Sequence, residues 1–206
     1  MRVAVFGATG GTGIELVEQG LERGHSVTAF VRDPARLPTG GDALTIITGD
    51  IHDSADVARC VQGQDAVLCA LGARDLKKTT IRATGTAKII DGMKQEGVKR
   101  LIVVSAMGVG ASWNSLPLGS RLLFATFLSS ARADHEAQEA AVMNSGLDWT
   151  IVRPSGLVDT PGTGVYGVGE EIRAKTSRIP RADVAAMILD ELAAGRLLGK
   201  AVTITN

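Results

Sequence analysis

Glycines and threonines dominate residues 7–13, where four of the seven positions are glycine. The apolar run at 2–6 predicts a buried strand before them, and apolar residues at helical spacing over 14–21 predict a helix behind them. Glycines between a strand and a helix let the backbone come close to a diphosphate, and the helix N-terminus offers it unpaired N–H groups and a positive dipole end. The segment therefore predicts a dinucleotide site.

Two arginines, Arg32 and Arg36, follow the second predicted strand. At this point of a dinucleotide site an acidic residue binds the 2′-hydroxyl of NAD, whereas an arginine accommodates the 2′-phosphate of NADP. Two guanidinium groups four residues apart could bond one phosphate through paired N–H groups. Asp33 could be the acidic residue of an NAD site, but we interpret it as the N-cap before Pro34. NADPH or NADP is therefore the expected cofactor, and a solvated pair of arginines is the alternative.

Four further segments follow the predicted strands. In sheets of this kind ligands bind beyond the carboxyl ends of the strands, near the point where the strand order reverses. Asp50 and Ile51 are expected near the adenine, and Ser105 beside the nicotinamide. The other two segments at this edge are Leu71 to Ala73, and Arg153 with Pro154.

Strands and helices alternate along nearly the whole chain. The strands are predicted at 2–6, 26–31, 44–48, 66–69, 101–104, 149–152 and 201–204. The later helices are predicted at 54–61, 80–96, 118–144 with a break near residue 130, and 182–192. This alternation predicts an α/β fold, a doubly wound parallel sheet of the Rossmann type. We expect one domain over 1–206, with the substrate site in its C-terminal third and a mobile glycine-rich loop at 160–169.

Composition excludes several classes of function. The 22 basic and 22 acidic residues balance, so nothing favours nucleic acid or an anionic membrane as a partner. The two cysteines, Cys60 and Cys69, have no metal or redox spacing, so no metal site is expected. Because the chain enters its first strand at once, we expect no secretory signal and a cytoplasmic protein.

Several segments resemble the atypical short-chain dehydrogenase/reductase family of the NAD(P)H-binding kind, and within it the NADPH-dependent flavin and biliverdin reductases. The resemblance covers nearly the whole chain. The residues that carry it are Phe6 to Gly10, Val31 to Asp33, Arg36 to Pro38, Gly49 and Asp50, Gly63 to Val67, Leu71 and Gly72, Asp134 and His135, and Ser145 to Leu147.

The resemblance implies a set of cofactor-binding and active-site residues. Those expected at the diphosphate are Gly7, Thr9, Gly10, Gly11, Thr12 and Gly13. Arg32 and Arg36 would hold the 2′-phosphate, Asp50 and Ile51 would flank the adenine, and Leu71 and Gly72 would line the path to the nicotinamide. Ser105 matches the family's active-site serine and His135 a histidine near the cofactor. A second family histidine is replaced here, where Arg153 and Pro154 are followed by Ser155 and Gly156, so the substrate preference could differ.

Candidate catalytic residues are few. Ser105 could orient the nicotinamide or donate a hydrogen bond to the substrate, or it could be an ordinary turn residue. His135 could be a proton donor, because its unperturbed pKa is near neutrality, or an exposed helix residue. We expect Arg74 and Arg82 to be solvated rather than to meet an anionic substrate. The apolar segment 113–128 could roof a flat substrate or contact another subunit.

The chain lacks a tyrosine with a lysine four residues later. In the larger superfamily this pair protonates carbonyls. The single tyrosine, Tyr166, is followed four residues later by Glu170. A carbonyl needs a positioned acid, whereas a flavin or a tetrapyrrole spreads the charge of an added hydride. Hydride transfer to such a conjugated acceptor is therefore expected. A non-catalytic NADP(H) sensor and, more remotely, a nucleotide-sugar epimerase remain as alternatives.

Overall fold

The centre of the fold is a twisted sheet of mostly parallel strands. The computed structural model describes residues 1–37, 40–73, 79–110, 129–172 and 178–206. The strands are β1 (Arg2–Phe6), β2 (Ser26–Val31), β3 (Leu44–Thr48), β4 (Ala66–Cys69), β5 (Arg100–Val104), β6 (Asp148–Pro154), β7 (Gly156–Val158), β8 (Gly167–Gly169), β9 (Arg178–Pro180) and β10 (Lys200–Thr205). Eight of these form one sheet in the order β3-β2-β1-β4-β5-β6-β10-β8, and β7 pairs with β9.

Helices cover both faces of this sheet. They are α1 (Gly11–Glu22), α2 (Ser54–Val61), α3 (Ile81–Glu96), α4 (Ser129–Met143) and α5 (Arg181–Ala194), with a 3₁₀ turn at Pro34–Arg36. Leu16 of α1 and Ile188 of α5 lie in one buried apolar cluster. Val57 of α2, Ile89 of α3 and Val142 of α4 lie in the other. Since side chains of a strand alternate between its two faces, each helix layer buries one face of the sheet.

The strand order reverses beside β1, which lies between β2 and β4. Phe6 at the end of β1 is in register with Phe30 of β2 and with Cys69 of β4. Cys69 is in turn in register with Val103 of β5, and Val103 with Ile151 of β6. The parallel strands therefore end together, and the loops that leave them meet at one edge of the sheet.

The predicted α/β Rossmann fold with one domain is confirmed. The seven predicted strands all occur, and most of them are apolar runs buried on both faces, whereas β3 at the sheet edge is largely exposed. The sheet is parallel as predicted except at one edge, where β8 pairs with β10 in the antiparallel sense. The strands β7, β8 and β9 were not predicted, since three residues are too few to show a periodicity.

The loop at 160–169, expected to be mobile, has two fixed points. Its last residues form β8. Near its start, the N–H groups of Thr163 and Gly164 and the Thr163 hydroxyl donate to the buried Asp183 carboxylate at 2.9–3.0 Å. Asp183 lies in the first turn of α5 and so fastens the loop to that helix.

Two parts of the sequence predictions lie outside the described residues. These are the apolar segment 113–128, with the part of the predicted helix that precedes α4, and Arg74. Among the described helices, none combines the length and the apolar character that spanning a membrane requires.

Candidate functional site

The turn between β1 and α1 requires glycine at two positions. Gly7 has a φ of 80° and accepts a hydrogen bond from the Gly10 N–H at 2.9 Å. A Cβ atom on Gly7 would overlap the backbone carbonyl of Ala70, and one on Gly13 would overlap the backbone of Gly7. The turn is therefore closed against β4 and against itself, and side chains at these positions would fill the cradle.

The N-terminus of α1 opens onto this cradle. Its N-cap, Gly10, has no side chain to accept hydrogen bonds from the first turn, and that turn holds no acidic residue. The N–H groups of Gly11, Thr12 and Gly13 have no carbonyl within the helix, as at every helix start. Three donors and the positive dipole end therefore fit a diphosphate.

Arg32 and Arg36 lie at the carboxyl end of β2, beside the cradle. Both are exposed, and within the described ranges neither has a carboxylate within 4 Å. Asp33 accepts a hydrogen bond from the Ala35 N–H at 3.1 Å and so caps the turn that begins at Pro34. The interpretation of Asp33 as an N-cap is confirmed, and its carboxylate is used locally.

The loop after β3 is built around Asp50. Its N–H donates to Asp56 at 3.0 Å, and its carboxylate accepts from the His52 N–H at 2.9 Å. These bonds fix the course of the backbone before and after Ile51. His52 lines an open cleft of about 400 Å³ together with Thr79, Thr80 and Ile81.

Gly85 on α3 lets the two loops after β3 and β4 approach the helix. A Cβ atom there would lie 2.7 Å from Leu71 and 2.9 Å from Ile51. The side chains of Leu71 and Ile51, both expected beside the cofactor, therefore pack against α3 at the same residue, Gly85. Sequence reasoning missed Gly85, although a glycine inside a helical pattern is a signal of close approach. Gly72, the residue after Leu71, is exposed.

Ser105 and His135 come together at the carboxyl end of β5. The Ser105 N–H donates to the carbonyl of Val152 at 2.7 Å, which fixes the residue at the sheet edge. Its hydroxyl lies 3.3 Å from Nδ1 of His135 on α4. Burial and the positive charge of Arg82 lower the pKa of His135 to about 4, although Asp134 opposes them. The imidazole is therefore neutral at pH 7 and acts as a hydrogen-bonding group rather than a cationic acid.

Arg82 and Asp134 form an ion pair behind this histidine. The distance from Nη1 of Arg82 to Oδ2 of Asp134 is 3.2 Å, and only 13% of the arginine side chain is exposed. Asp134 also accepts from the N–H of Ala83 at 2.9 Å and so caps α3 from the neighbouring helix. The expectation that Arg82 is solvated is therefore wrong.

Arg153, a predicted cofactor-binding residue, forms a bidentate ion pair with Glu139. Its Nε and Nη2 lie 2.9 Å and 2.6 Å from the two carboxylate oxygens, and both side chains are about 5% exposed or less. The pair joins β6 to α4. Pro154 follows and accepts at its carbonyl from the Met107 N–H at 2.9 Å. Sequence reasoning missed Glu139, because an acidic residue on a helix is expected to face solvent.

Arg181 is a third residue that sequence reasoning missed. It begins α5, and its side chain crosses the first residue of α1: a Cβ atom on Gly11 would lie 2.6 Å from its Cδ and Nε atoms. Its Nε donates to Asp159 at 2.7 Å. No local pattern predicts this contact, which joins residues 170 positions apart.

Neither cysteine is chemically prominent. Both side chains are fully buried. Burial raises the pKa of the Cys60 thiol to about 12 and also raises that of Cys69, which lies 3.5 Å from the Thr86 hydroxyl. Over the described ranges, no three histidine, cysteine or acidic side chains are grouped as metal donors.

Comparison with known proteins agrees with this geometry. An uncharacterized chloroplastic protein of Arabidopsis thaliana is 32% identical over 200 residues, covering 93% of this chain and 71% of the relative. The uncharacterized sugar epimerase YhfK of Bacillus subtilis is 30% identical over 202 residues, covering 93% and 88%. The solved structure of ChuY, an anaerobilin reductase from Escherichia coli O157:H7, superposes with a TM-score of 0.84 at 25% identity, covering 100% of this chain and 97% of ChuY.

A family model described as NAD(P)H-binding matches residues 7–194, from the glycine turn to the end of α5. With the cradle at Gly7 and Gly13, the chain therefore belongs to the NAD(P)H-binding family.

Proposed function

We propose that this protein is an NADPH-dependent oxidoreductase that transfers hydride to a conjugated acceptor, either a flavin or a biliverdin-like tetrapyrrole. The observation that carries the proposal is the neutral pair of Ser105 and His135 at the carboxyl end of β5. In this fold the nicotinamide is expected at that edge. A neutral hydrogen-bonding pair suits orientation of a ring better than protonation of a carbonyl oxygen.

Selection of NADPH over NADH would rest on Arg32 and Arg36. Both are exposed at the end of β2, and no described carboxylate neutralises them. A 2′-phosphate supplies the charge that they lack and accepts paired N–H bonds. Asp33, the one acidic residue beside them, is held by the Ala35 N–H and faces its own turn.

NADPH supplies the hydride, and the protein's residues orient and enclose the reactants. Ser105 would direct its hydroxyl toward the nicotinamide or the acceptor, with His135 fixing that hydroxyl. Tyr166 is a poor acid or base for this site. It packs against the apolar cluster that α1 and α5 share, and burial and the carboxylates of Asp190 and Asp183 raise its pKa. The acceptor must therefore take hydride without a tyrosine proton.

A conjugated acceptor meets this condition, because its π-system spreads the added charge until solvent delivers a proton. ChuY, which acts on a tetrapyrrole, supports this class of acceptor. Flavins belong to the same chemical class, as flat and extended rings that accept hydride.

The test is steady-state oxidation of NADPH with FMN, FAD, riboflavin and biliverdin offered in turn. We expect turnover with at least one acceptor, and much slower turnover with NADH. Tight NADPH binding without turnover on any acceptor would overturn the reductase proposal and favour the non-catalytic sensor.

A sugar epimerase is the second candidate, and the name of YhfK is the observation that favours it. Epimerases of this superfamily need a catalytic base for a sugar hydroxyl, which the tyrosine–lysine pair supplies, and Tyr166 is followed by Glu170 at that spacing. Incubation with UDP-glucose and UDP-galactose, followed by product separation, distinguishes the two functions. Interconversion at a rate above the NADPH oxidation rate would favour the epimerase.

A further inference from the structure

Arg181 places a positive charge beside the N-termini of α1 and α5, and of these two first turns only that of α5 holds an acidic residue, Asp183. The side chain of Arg181 crosses Gly11, the first residue of α1, and Arg181 is itself the first residue of α5. Each helix N-terminus is equivalent to about half a positive charge, so a cation is disfavoured there. A guanidinium that is kept at such a place needs an anionic partner.

The protein's own partner is weak. Asp159 accepts from Nε at 2.7 Å, but its side chain is 81% exposed, and ion pairs in solvent contribute little. The bond uses one of the five guanidinium donors. Among the described residues, the two terminal nitrogens of Arg181 have no acceptor. Four N–H groups are therefore available beside the cradle.

We propose that Arg181 is a further cofactor-binding residue, which donates from its terminal nitrogens to the dinucleotide's diphosphate, while Asp159 orients the guanidinium through Nε. Glycine at position 11 leaves room for this arginine, since a side chain there would displace it. The proposal rests on the cofactor half of the proposed function alone and is independent of the acceptor.

The affinities for two ligands distinguish direct binding of the diphosphate by Arg181 from a purely structural role of this residue. NADPH contains both the 2′-phosphate and the diphosphate, whereas 2′-AMP contains the 2′-phosphate alone. In Arg181→Gln, we expect the Kd for NADPH to rise roughly 10- to 100-fold, because charge-assisted bonds are lost. The Kd for 2′-AMP should change less than about twofold, because 2′-AMP lacks the diphosphate to which Arg181 is proposed to donate.

Asp159→Ala provides an independent variant that leaves the arginine in place. Loss of the orienting bond should raise the Kd for NADPH by about three- to tenfold and again spare 2′-AMP. Arg23→Gln is the matched control. It breaks another ion pair of α5, in which Asp190 lies 2.7 Å from Arg23 at the C-terminal end of α1, and should leave both constants unchanged.

Isothermal titration calorimetry on the full chain measures both dissociation constants for the wild type and for each of the three variants, and circular dichroism verifies that each variant is folded. NADPH binding within twofold of wild type in both variants would overturn the proposal, as would equal losses for NADPH and 2′-AMP. Failure of the wild-type protein to bind NADPH would overturn both this proposal and the proposed function. A loss confined to NADPH, in a protein that turns over no acceptor, would support Arg181 and reject the reductase.

Discussion

The two halves of the site treat charge in opposite ways. In the cofactor half, around α1 and the end of β2, Arg32 and Arg36 are exposed and no described carboxylate is within 4 Å of them. In the half proposed to receive the acceptor, here called the acceptor half, around β5, α4 and β6, two buried arginines are paired within the protein. Arg153 is bound by Glu139 and Arg82 by Asp134, both largely buried.

This difference indicates what each half is built to receive. Positive groups without a protein partner suit a ligand that brings its own negative charges, as phosphates do. A half whose charges are already paired, and whose histidine is neutral, presents a hydrogen-bonding but uncharged environment. Such an environment suits a ring system that is flat and mostly uncharged, and four predictions test the contrast.

The largest effect is expected where the acceptor half loses one of its paired charges. Glu139→Gln leaves the buried Arg153 guanidinium without its counter-charge, so we expect the free energy of unfolding to fall by about 3–5 kcal/mol. Urea denaturation measures it. Asp190→Asn, in the exposed pair with Arg23, is the control and should cost less than about 1 kcal/mol. Similar losses in the two variants would contradict the contrast between the halves.

A smaller effect, on binding rather than on folding, is expected in the cofactor half. Arg32→Ala should weaken NADPH binding by roughly 1.5–3 kcal/mol, because a charge-assisted contact with the 2′-phosphate is lost. NADH binding should be almost unchanged, and so should the free energy of unfolding. Fluorescence titration with both cofactors provides the measurement, and equal losses for NADPH and NADH would show that Arg32 does not recognise the 2′-phosphate.

The neutral state of His135 makes the free energy of unfolding depend on pH. Folding lowers the pKa from its ordinary value of 6.5 to about 4, so between these values the unfolded chain binds a proton that the folded chain does not. Stability should therefore fall as the pH falls through this window, by at most about 1.4 kcal/mol per pH unit. His135→Gln removes the titrating group. Urea unfolding at pH 7.5 and 5.0 should show a smaller loss in the variant than in the wild type, and equal losses would reject a neutral His135.

The smallest effect is expected at Ser105. Ser105→Ala should lower kcat by less than about tenfold, or 1.4 kcal/mol in the barrier, because a conjugated acceptor needs orientation more than protonation. The Kd for NADPH should be nearly constant. Stopped-flow reduction of the preferred acceptor measures the step directly. A loss of 100-fold or more would assign Ser105 a part in proton transfer, and an unchanged rate would remove it from the site.

The sequence predicted the fold where local pattern and tertiary environment agree. Strands such as Ala66–Cys69 are buried on both faces, so an unbroken apolar run marks their limits. Gly7 and Gly13 could be recognised in the sequence, because backbone crowding permits no other residue at these two positions. Asp33 beside Pro34 was likewise a local signal, and its cap was confirmed.

The rest of the site depends on contacts that no local pattern contains. Glu139 and Asp134 are buried acidic residues on α4. Their burial is possible because each forms an ion pair with an arginine of another element, Arg153 on β6 and Arg82 on α3. The crossing of Arg181 over Gly11 arises from the packing of α5 beside α1. The roles of Ser105 and His135 stay predictions, although their 3.3 Å separation brings the two residues together.

If the proposed acceptor is a flavin, the two buried cysteines bear on how long the protein stays active. Reduced flavin reacts with dioxygen to give hydrogen peroxide, so an enzyme that produces it is exposed to an oxidant of its own making. Peroxide attacks thiolates, and burial keeps the pKa of Cys60 near 12 and that of Cys69 above its ordinary value. Both thiols of the chain are buried and protonated, so neither presents the exposed thiolate that peroxide attacks.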